Sequence, residues 1–332
     1  MKKEDRITIV TYAGIAGLVL PPTSGDKHAE IIGALDRLHS GGSTNGGDGI
    51  KLAYAMAEQA FIKGGVNRVI IGTDGDFNVG VTGSELVRLI ETKRDTGVFL
   101  TVLGFCMGNL KDATMEKLAQ HGNGTYAYID SFAEAHRIFV EQIASLVPIA
   151  KDVKIQIEFN PTHVQAYRLI GYENRLLNHE DFNDDTKDAG DMGAGHSVTA
   201  LYEIIPPGVD IKLPKVDALK YQKRTELTMD AKSNEMMSVK LRYIPPTEKA
   251  SKLLTTVVTP ERRPFDAASS DFRFAAAAAS FAMLLRESPY RGATSYRQVH
   301  GWADGAKGPD EQGHRREFMR LVQKAENLSQ GK

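Results

Sequence analysis

Two short loops hold the oxygen-bearing side chains whose types and spacing could do chemistry. One is Gly41-Gly42-Ser43-Thr44-Asn45-Gly46-Gly47, just ahead of a helix-like stretch. The other is Thr73-Asp74-Gly75-Asp76, directly after the apolar run Val69-Ile70-Ile71. A hydroxyl from the first loop and a carboxylate from the second are hard donors of the kind that Mg²⁺ takes. The same residue types have a plainer use: Asp74-Gly75 as a turn and Thr44 as a helix N-cap. The residues alone leave both readings open.

Other arrangements fail on their spacing. Asp181, Asn183 and Asp185 stand at positions one, three and five of a calcium loop, but Thr186 replaces the glycine at six and Met192 the glutamate at twelve. A solvated acidic loop is the better reading. Ser24-Gly25-Asp26-Lys27 fits Ser-x-x-Lys without the companion motifs of that chemistry. Nucleophile elbow, phosphate-binding loop and His-Glu-x-x-His are all missing from the sequence. The histidines, His121 and His196 among them, are scattered, and no acid, base and nucleophile are assembled. The expectation is a binding protein, not an enzyme.

The elements that must position the two loops alternate along the first part of the chain. Ile7 to Tyr12 reads as a strand, with Ala16 to Leu20 as a short neighbour, followed by helical stretches at about 26–39 and 46–63. Asn67–Gly72 reads as a buried strand, then Val98–Gly104 and Thr125–Ile129 as further strands. Leu86, Leu89 and Ile90 share a helical face between them. Phe132, Ala135, Phe139, Ile143 and Leu146 share another, in a helix opened by a Ser131/Glu134 capping box. Strands separated by such helices form βαβ units around a mostly parallel sheet. In such a sheet, ligands bind in the crevice at the carboxyl ends of the strands.

Near Pro148 the period changes. Val153, Ile155, Ile157 and Phe159 alternate, as do Val198, Ala200, Tyr202 and Ile204, and later Val239, Leu241 and Tyr243. This is the pattern of antiparallel strands with one wet face. Helical patterns return through Ala275–Arg286 and Arg315–Leu328, and the polar stretch Asp181–Gly195 reads as a long loop. The expected division is an α/β domain at 1–148 and a β-rich α+β domain, finished by helices, at 149–332.

Composition narrows the partners. Lysine and arginine (41) nearly cancel aspartate and glutamate (42), so nothing favours nucleic acid or an anionic membrane. The one cysteine, Cys106, leaves no intrachain disulfide to form. The opening Met1-Lys2-Lys3-Glu4-Asp5 lacks the apolar stretch of a signal peptide, and the longest small-apolar run, Phe274–Leu285, is too short to span a bilayer. The compartment is left unassigned by the residues.

Gly-Gly-Ser-Thr-Asn before a helix, some way ahead of a strand ending Thr-Asp-Gly-Asp, resembles the second and third loops of the metal-ion-dependent adhesion site of a von Willebrand factor type A (vWA) domain. The run Asp5-Arg6-Ile7-Thr8-Ile9-Val10-Thr11-Tyr12-Ala13-Gly14 resembles that family's second strand. The likeness continues through Asn174-Arg175-Leu176-Leu177, Asp181–Thr186, Gly195–Val198 and Glu317–Val322. It points to the YfbK-like bacterial family, which joins a vWA domain to a C-terminal domain of unknown function. The resemblance implies a doubly wound, Rossmann-like fold with Thr44 and Asp74 as ligands of Mg²⁺ or another divalent cation. Asn45 and Asp76 then lie around them as hydrogen-bonding neighbours. It implies a protein partner that completes the coordination with an acidic side chain, and it suggests the cell envelope. The family's Asp-x-Ser-x-Ser loop, which follows the first strand, occurs nowhere in this sequence. The resemblance therefore implies a sheet lacking its first strand and helix, an upstream segment that encodes them, and weak metal binding or none. A metal-independent structural or interaction role is the alternative.

Overall fold

The computed structural model describes residues 1–12, 17–39, 46–74, 83–105, 112–172, 176–187, 189–210 and 227–331. The chain divides into two units. The first comprises Met1–Lys154, Asp185–His196 and Tyr243–Lys252, and the second Ile155–Asp184, Ser197–Arg242 and Leu253–Lys332.

The first unit opens with β1 (Arg6–Thr11) and β2 (Gly17–Ser24), an antiparallel pair. β2 runs further than the sequence pattern suggests, through Pro21 and Pro22. Proline cannot donate to a ladder. The register accordingly slips here, from Ile7 opposite Thr23 to Ile9 opposite Leu20, so that β2 carries an extra residue at the prolines. Leu20 packs with Ile31 and Ala34 of α1 (His28–Leu35), which is shorter than the 26–39 stretch expected. Then follow α2 (Gly46–Gln59), β3 (Asn67–Thr73), α3 (Gly83–Asp95), β4 (Val98–Phe105), α4 (Asp112–His121) and β5 (Tyr126–Ile129).

The order β3-β4-β5 is parallel throughout, with Asn67 opposite Val98, Thr73 opposite Gly104, and Val102 opposite Tyr126. Val69, Ile71, Val98, Leu100 and Val102 meet Ile50 and Tyr54 of α2, Leu86 and Ile90 of α3, and Met115 and Leu118 of α4 in one core. This is the α/β architecture of doubly wound folds. β4, the central strand, pairs on both edges, and its side chains are buried under the helices packed on the sheet. β3 corrects the expectation of a fully buried strand. It lies at the edge of its sheet, with Val69, Ile71 and Thr73 buried and Ile70 45% exposed.

The helix expected after Ser131 is broken. Ser131 Oγ does accept from the Glu134 N–H (3.2 Å), capping α5 (Phe132–His136). The chain then continues as a π-helical turn over Arg137–Glu141 and a 3₁₀ turn over Ile143–Leu146. The changes of period rotate the proposed apolar face out of line: Phe132 is 88% exposed, and Phe139 and Ile143 also face solvent.

β6 (Pro148–Phe159) begins in the first unit, where it pairs antiparallel with β8 (Gly190–Gly193); β7 (Ala166–Ile170) lies between them in sequence. The stretch 181–195 is therefore not one long loop, since it holds β8 and a 3₁₀ turn at Glu180–Asn183. Between Ala150 and Val153, β6 carries one residue more than β8, and Asp152 takes a positive φ of 50°. Two carboxylates fasten this bulge. Asp152 Oδ1 accepts from the Ala189 N–H at 2.9 Å, and Asp191 Oδ1 from the Asp152 N–H at 3.2 Å. Arg68, near the start of β3, donates to Thr101 Oγ1 (2.8 Å) and the Leu146 carbonyl (3.3 Å). Its charge also acts on Asp191.

In the second unit β7 pairs antiparallel with β9 (Leu201–Ile205), a strand shorter than the alternation from Val198 suggests. β10 (Met237–Ile244) and β11 (Lys252–Val258) follow. Three helices end the chain: α6 (Ser270–Leu285), α7 (Tyr296–Asp304) and α8 (His314–Gln330). Ser269 and Ser295 cap the first two by accepting from Phe272 and Gln298, and the Asp310 carboxylate accepts from the Arg315 and Arg316 N–H groups before the third. Ala277, Leu284, Val299, Ala303, Met319 and Val322 form their core. Among the described residues no helix is long and apolar enough to cross a membrane.

Two stability measurements follow. A Cβ at Gly124 would lie 1.5 Å from the Leu100 carbonyl oxygen, which is backbone of the central strand and cannot step aside. Gly124→Ala is expected to destabilise by about 3 kcal/mol, the upper end of ordinary overpacking costs, in denaturant titration. Burial raises the Asp191 carboxyl from 3.8 to about 6, against the lowering effects of the Asp152 N–H, Lys151 and Arg68. The folded state thus holds a proton that the unfolded state has released, so stability falls as pH rises from about 4 to about 6. Asp191→Asn should flatten that slope in melting curves taken across this window.

Candidate functional site

The last residue of β3 and the one after it lie differently. Thr73 is buried, and Asp74, one residue past the ladder, is exposed at the carboxyl end of the parallel sheet. Tyr12, just beyond β1, reaches the same end. Its hydroxyl donates to the Gly72 carbonyl oxygen and shares a hydrogen bond with the Thr73 side chain. Burial raises the Tyr12 phenol above its ordinary value of 10.0, Thr73 opposes this, and the charge of Asp74 adds to it. Tyr12, Thr73 and Asp74 therefore sit within electrostatic reach of one another.

The other flank is the first turn of α2. Gly46, Gly47 and Gly49 are all buried there. A Cβ on Gly49 would stand 2.3 Å from the Tyr12 Cβ, so only glycine lets the tyrosine lie against the helix. Tyr12 thus touches α2 at its root and β3 at its tip, tying the start of one element to the end of the other. Sequence reasoning missed it. It is legible only as the aromatic that closes a strand-like run, and both its partners are distant in the chain.

Thr44, Asn45 and Asp76 lie outside the described residues; Asp74 is the sequence-predicted site residue that the structure places. Beside this end of the sheet, Gly47, Lys51, Glu85, Leu86 and Leu89 line a shallow cleft of about 250 Å³ between the first turns of α2 and α3. An exposed carboxylate is chemically suited to a hard divalent cation. Among the described residues, however, no three His, Cys, Asp or Glu side chains come together to hold a metal. The Thr73 and Tyr12 hydroxyls are engaged with each other.

The calcium-like spacing at Asp181 is used structurally. Asn178 Nδ2 donates to Asp181 Oδ2 (3.0 Å), Arg242 Nη2 to Asn183 Oδ1 (2.9 Å), and Ser251 Oγ to Asp185 Oδ2 (3.0 Å). His121 is paired through Nδ1 with Glu91 at 2.9 Å.

A parallel sheet with a carboxylate at the carboxyl end of β3 and a glycine-rich helix start beside it defines the class: this is a vWA-domain protein, and the von Willebrand factor type A domain family matches residues 1–141. The rest of the chain, residues 144–328, matches the family described as "Uncharacterized protein YfbK, C-terminal". The chain is 42% identical over 331 residues to "Uncharacterized protein YfbK" of Escherichia coli (strain K12), covering 99% of this chain and 56% of that protein. The chain belongs to the YfbK family of vWA proteins, and it spans a little over half the length of this relative. Among solved structures it is similar to a von Willebrand factor type A protein from Catenulispora acidiphila, with 16% identity and a TM-score of 0.45, covering 97% of this chain and 74% of the other. The SpRpn10 VWA domain matches 37% of this chain and 64% of its own, with 14% identity and a TM-score of 0.32.

The Tyr12–Gly49 contact has a test whose sign decides it. Helix propensity alone gives Gly49→Ala a gain of about 1 kcal/mol. The contact instead requires Tyr12 to leave its place, so the expected outcome in urea titration is a net loss of stability.

Proposed function

We propose that the vWA unit binds a protein partner at the carboxyl end of its parallel sheet, through a divalent cation held by Thr44 and Asp74. The observation that supports this is the placement of Asp74: an exposed carboxylate directly past a buried strand, beside the glycine-rich start of α2. The vWA domain is in general an interaction module, and this chain's membership of that family supports binding over turnover. A bound cation would offer an electrophilic position that an acidic side chain can ligate. The protein's own part is then to hold the Asp74 carboxylate at the mouth of the crevice, with Tyr12 fixing the end of β3 and the first turn of α2 behind it.

A metal-independent interface at the same place is the second reading. It is favoured by the donor count: among the described residues Asp74 belongs to no group of three His, Cys, Asp or Glu side chains that could hold a metal. A cation held by one or two protein oxygens keeps most of its water and binds weakly.

Immobilised acidic and neutral peptides separate the two readings. Capture of acidic peptides in Mg²⁺, reversal by chelator, and at least about a tenfold loss in Asp74→Ala correspond to the cation-assisted reading. The melting temperature of that variant should be unchanged, because an exposed side chain past the strand is not core. Capture that ignores both chelator and Asp74→Ala assigns the surface to the metal-independent reading.

A further inference from the structure

We propose that residues 132–146 form a strap with two arrangements: the period-broken one described, and a single α-helix that closes its apolar side over the second face of the parallel sheet. The sequence carries the closed form. At about 100° per residue, Phe132, Ala135, Phe139, Ile143 and Leu146 fall within about 80° of one another, a stripe that one continuous helix would bury. In the structure that stripe is scattered. Phe132, Phe139, Val140 and Ile143 face solvent, and no residue from Phe132 to Leu146 is buried.

Two contacts mark the open form, and both span five residues. The Gln142 N–H donates to the Arg137 carbonyl at 2.9 Å, and His136 Nδ1 lies 3.3 Å from Glu141 Oε1. An α-helix allows neither, because its N–H groups reach four residues back and residues five apart stand about 140° apart around its axis. The wide turn holds one residue more than an α-turn, so losing it rotates everything beyond by about 100°. Glu141 then leaves His136 and comes over Arg137, four residues back, on which its charge already acts. Arg137 keeps its pairing with Glu134, three residues away, in either form.

The sheet supplies what the stripe would cover. Val69, Ile71, Val98, Leu100 and Val102 turn toward α2, α3 and α4, so alternation turns Arg68, Ile70, Phe99 and Phe105 to the second face. Ile70 is 45% exposed there, and Phe99 and Phe105 are half-buried. The ends of the strap are already in place. It starts just after β5, at the carboxyl end of the sheet, where α5 touches β5. Its last carbonyl, on Leu146, accepts from Arg68 near the amino end. A helix over 132–146 spans about 22 Å and the strand β3 about 23 Å, so one helix matches the distance between those ends.

The full chain in a Cys106→Ser background carries the test. Counting back from Leu146 beside Arg68, Ile143 of the closed helix lies over Ile70. Ile70→Cys with Ile143→Cys is expected to form an intramolecular disulfide under mild oxidation. Ile70→Cys with Ala144→Cys is not, because Ala144 turns about 100° away from Ile143. His136→Ala removes a pair that exists only in the open form. It should speed cross-linking of 70 to 143 about two- to fivefold, the range set by an exposed ion pair, and deepen the helical circular dichroism of the reduced chain. Equal cross-linking at 143 and 144, none at 143, or a rate and helicity that His136→Ala leaves unchanged would overturn the proposal. Should the paired cysteines disturb folding, the helicity of His136→Ala decides it alone.

Discussion

Parallel pairing of β3 with β4 sets the geometry from which the rest of the first unit follows. Seven consecutive pairs, from Asn67–Val98 to Thr73–Gly104, lie in unbroken register. Both strands therefore run to one edge, and the chain leaving β3 emerges at that edge. Asp74 is the first residue to do so. A helix that precedes a parallel strand must run back against it, which brings the first turn of α2 to the same edge. Tyr12 occupies the space between, at a distance that Gly49 alone permits. The crevice is thus a consequence of the ladder, and its chemistry is decided by the few residues just past the strand ends.

The second unit solves a different problem, that of ordering a chain with little parallel ladder to organise it. Side chains that satisfy backbone groups do much of the work. Asn160 donates through Nδ2 to the carbonyls of Ala231 and Glu235 and accepts through Oδ1 from the Thr162 N–H, fixing the turn after β6 against a distant loop. Serines begin α6 and α7, and Asp310 begins α8. Arg315 adds a donation to the Ala306 carbonyl (2.8 Å) while its guanidinium lies over the Phe274 ring at 4.7 Å. Each of these ties joins an end that helix geometry leaves unsatisfied to a segment that would otherwise be free.

What was legible in the sequence followed from local pattern. Val69-Ile70-Ile71 followed by Thr73-Asp74-Gly75 contains both the strand and its exit, so Asp74 could be placed at the end of β3 from the residues alone. The alternating register of β6 and the helices at the chain end were legible in the same way. Features fixed by partners far along the chain were not. Nothing in Gly190–Gly193 resembles a strand; it becomes β8 because the carboxylates of Asp152 and Asp191 fasten it to β6. Pro21 and Pro22 argue against a strand, and β2 admits them only with a slip in its register. The apolar spacing from Phe132 to Leu146 predicts one amphipathic helix, but the helix changes period twice and the spacing no longer marks a face.

The two ends of β3 divide the protein's electrostatics. Near the amino end, Arg68 is partly buried, its guanidinium pulled down to about 10 by loss of solvent, with Thr101 and the Leu146 carbonyl as hydrogen-bond acceptors and the Phe99 ring 5.6 Å away. Asp191 lies within its field, and Arg68 Nε and Asp191 Oδ2 are both buried without hydrogen-bond partners among the described residues. Buried charge of this kind is costly to separate and holds its surroundings in one arrangement. At the carboxyl end the Asp74 side chain is exposed, and among the described residues no hydrogen bond or ion pair holds it. A strand that anchors itself by a partly buried, hydrogen-bonded cation at one end can leave a carboxylate exposed at the other without losing its place. That separation is what allows the crevice to be open chemically while its walls are fixed.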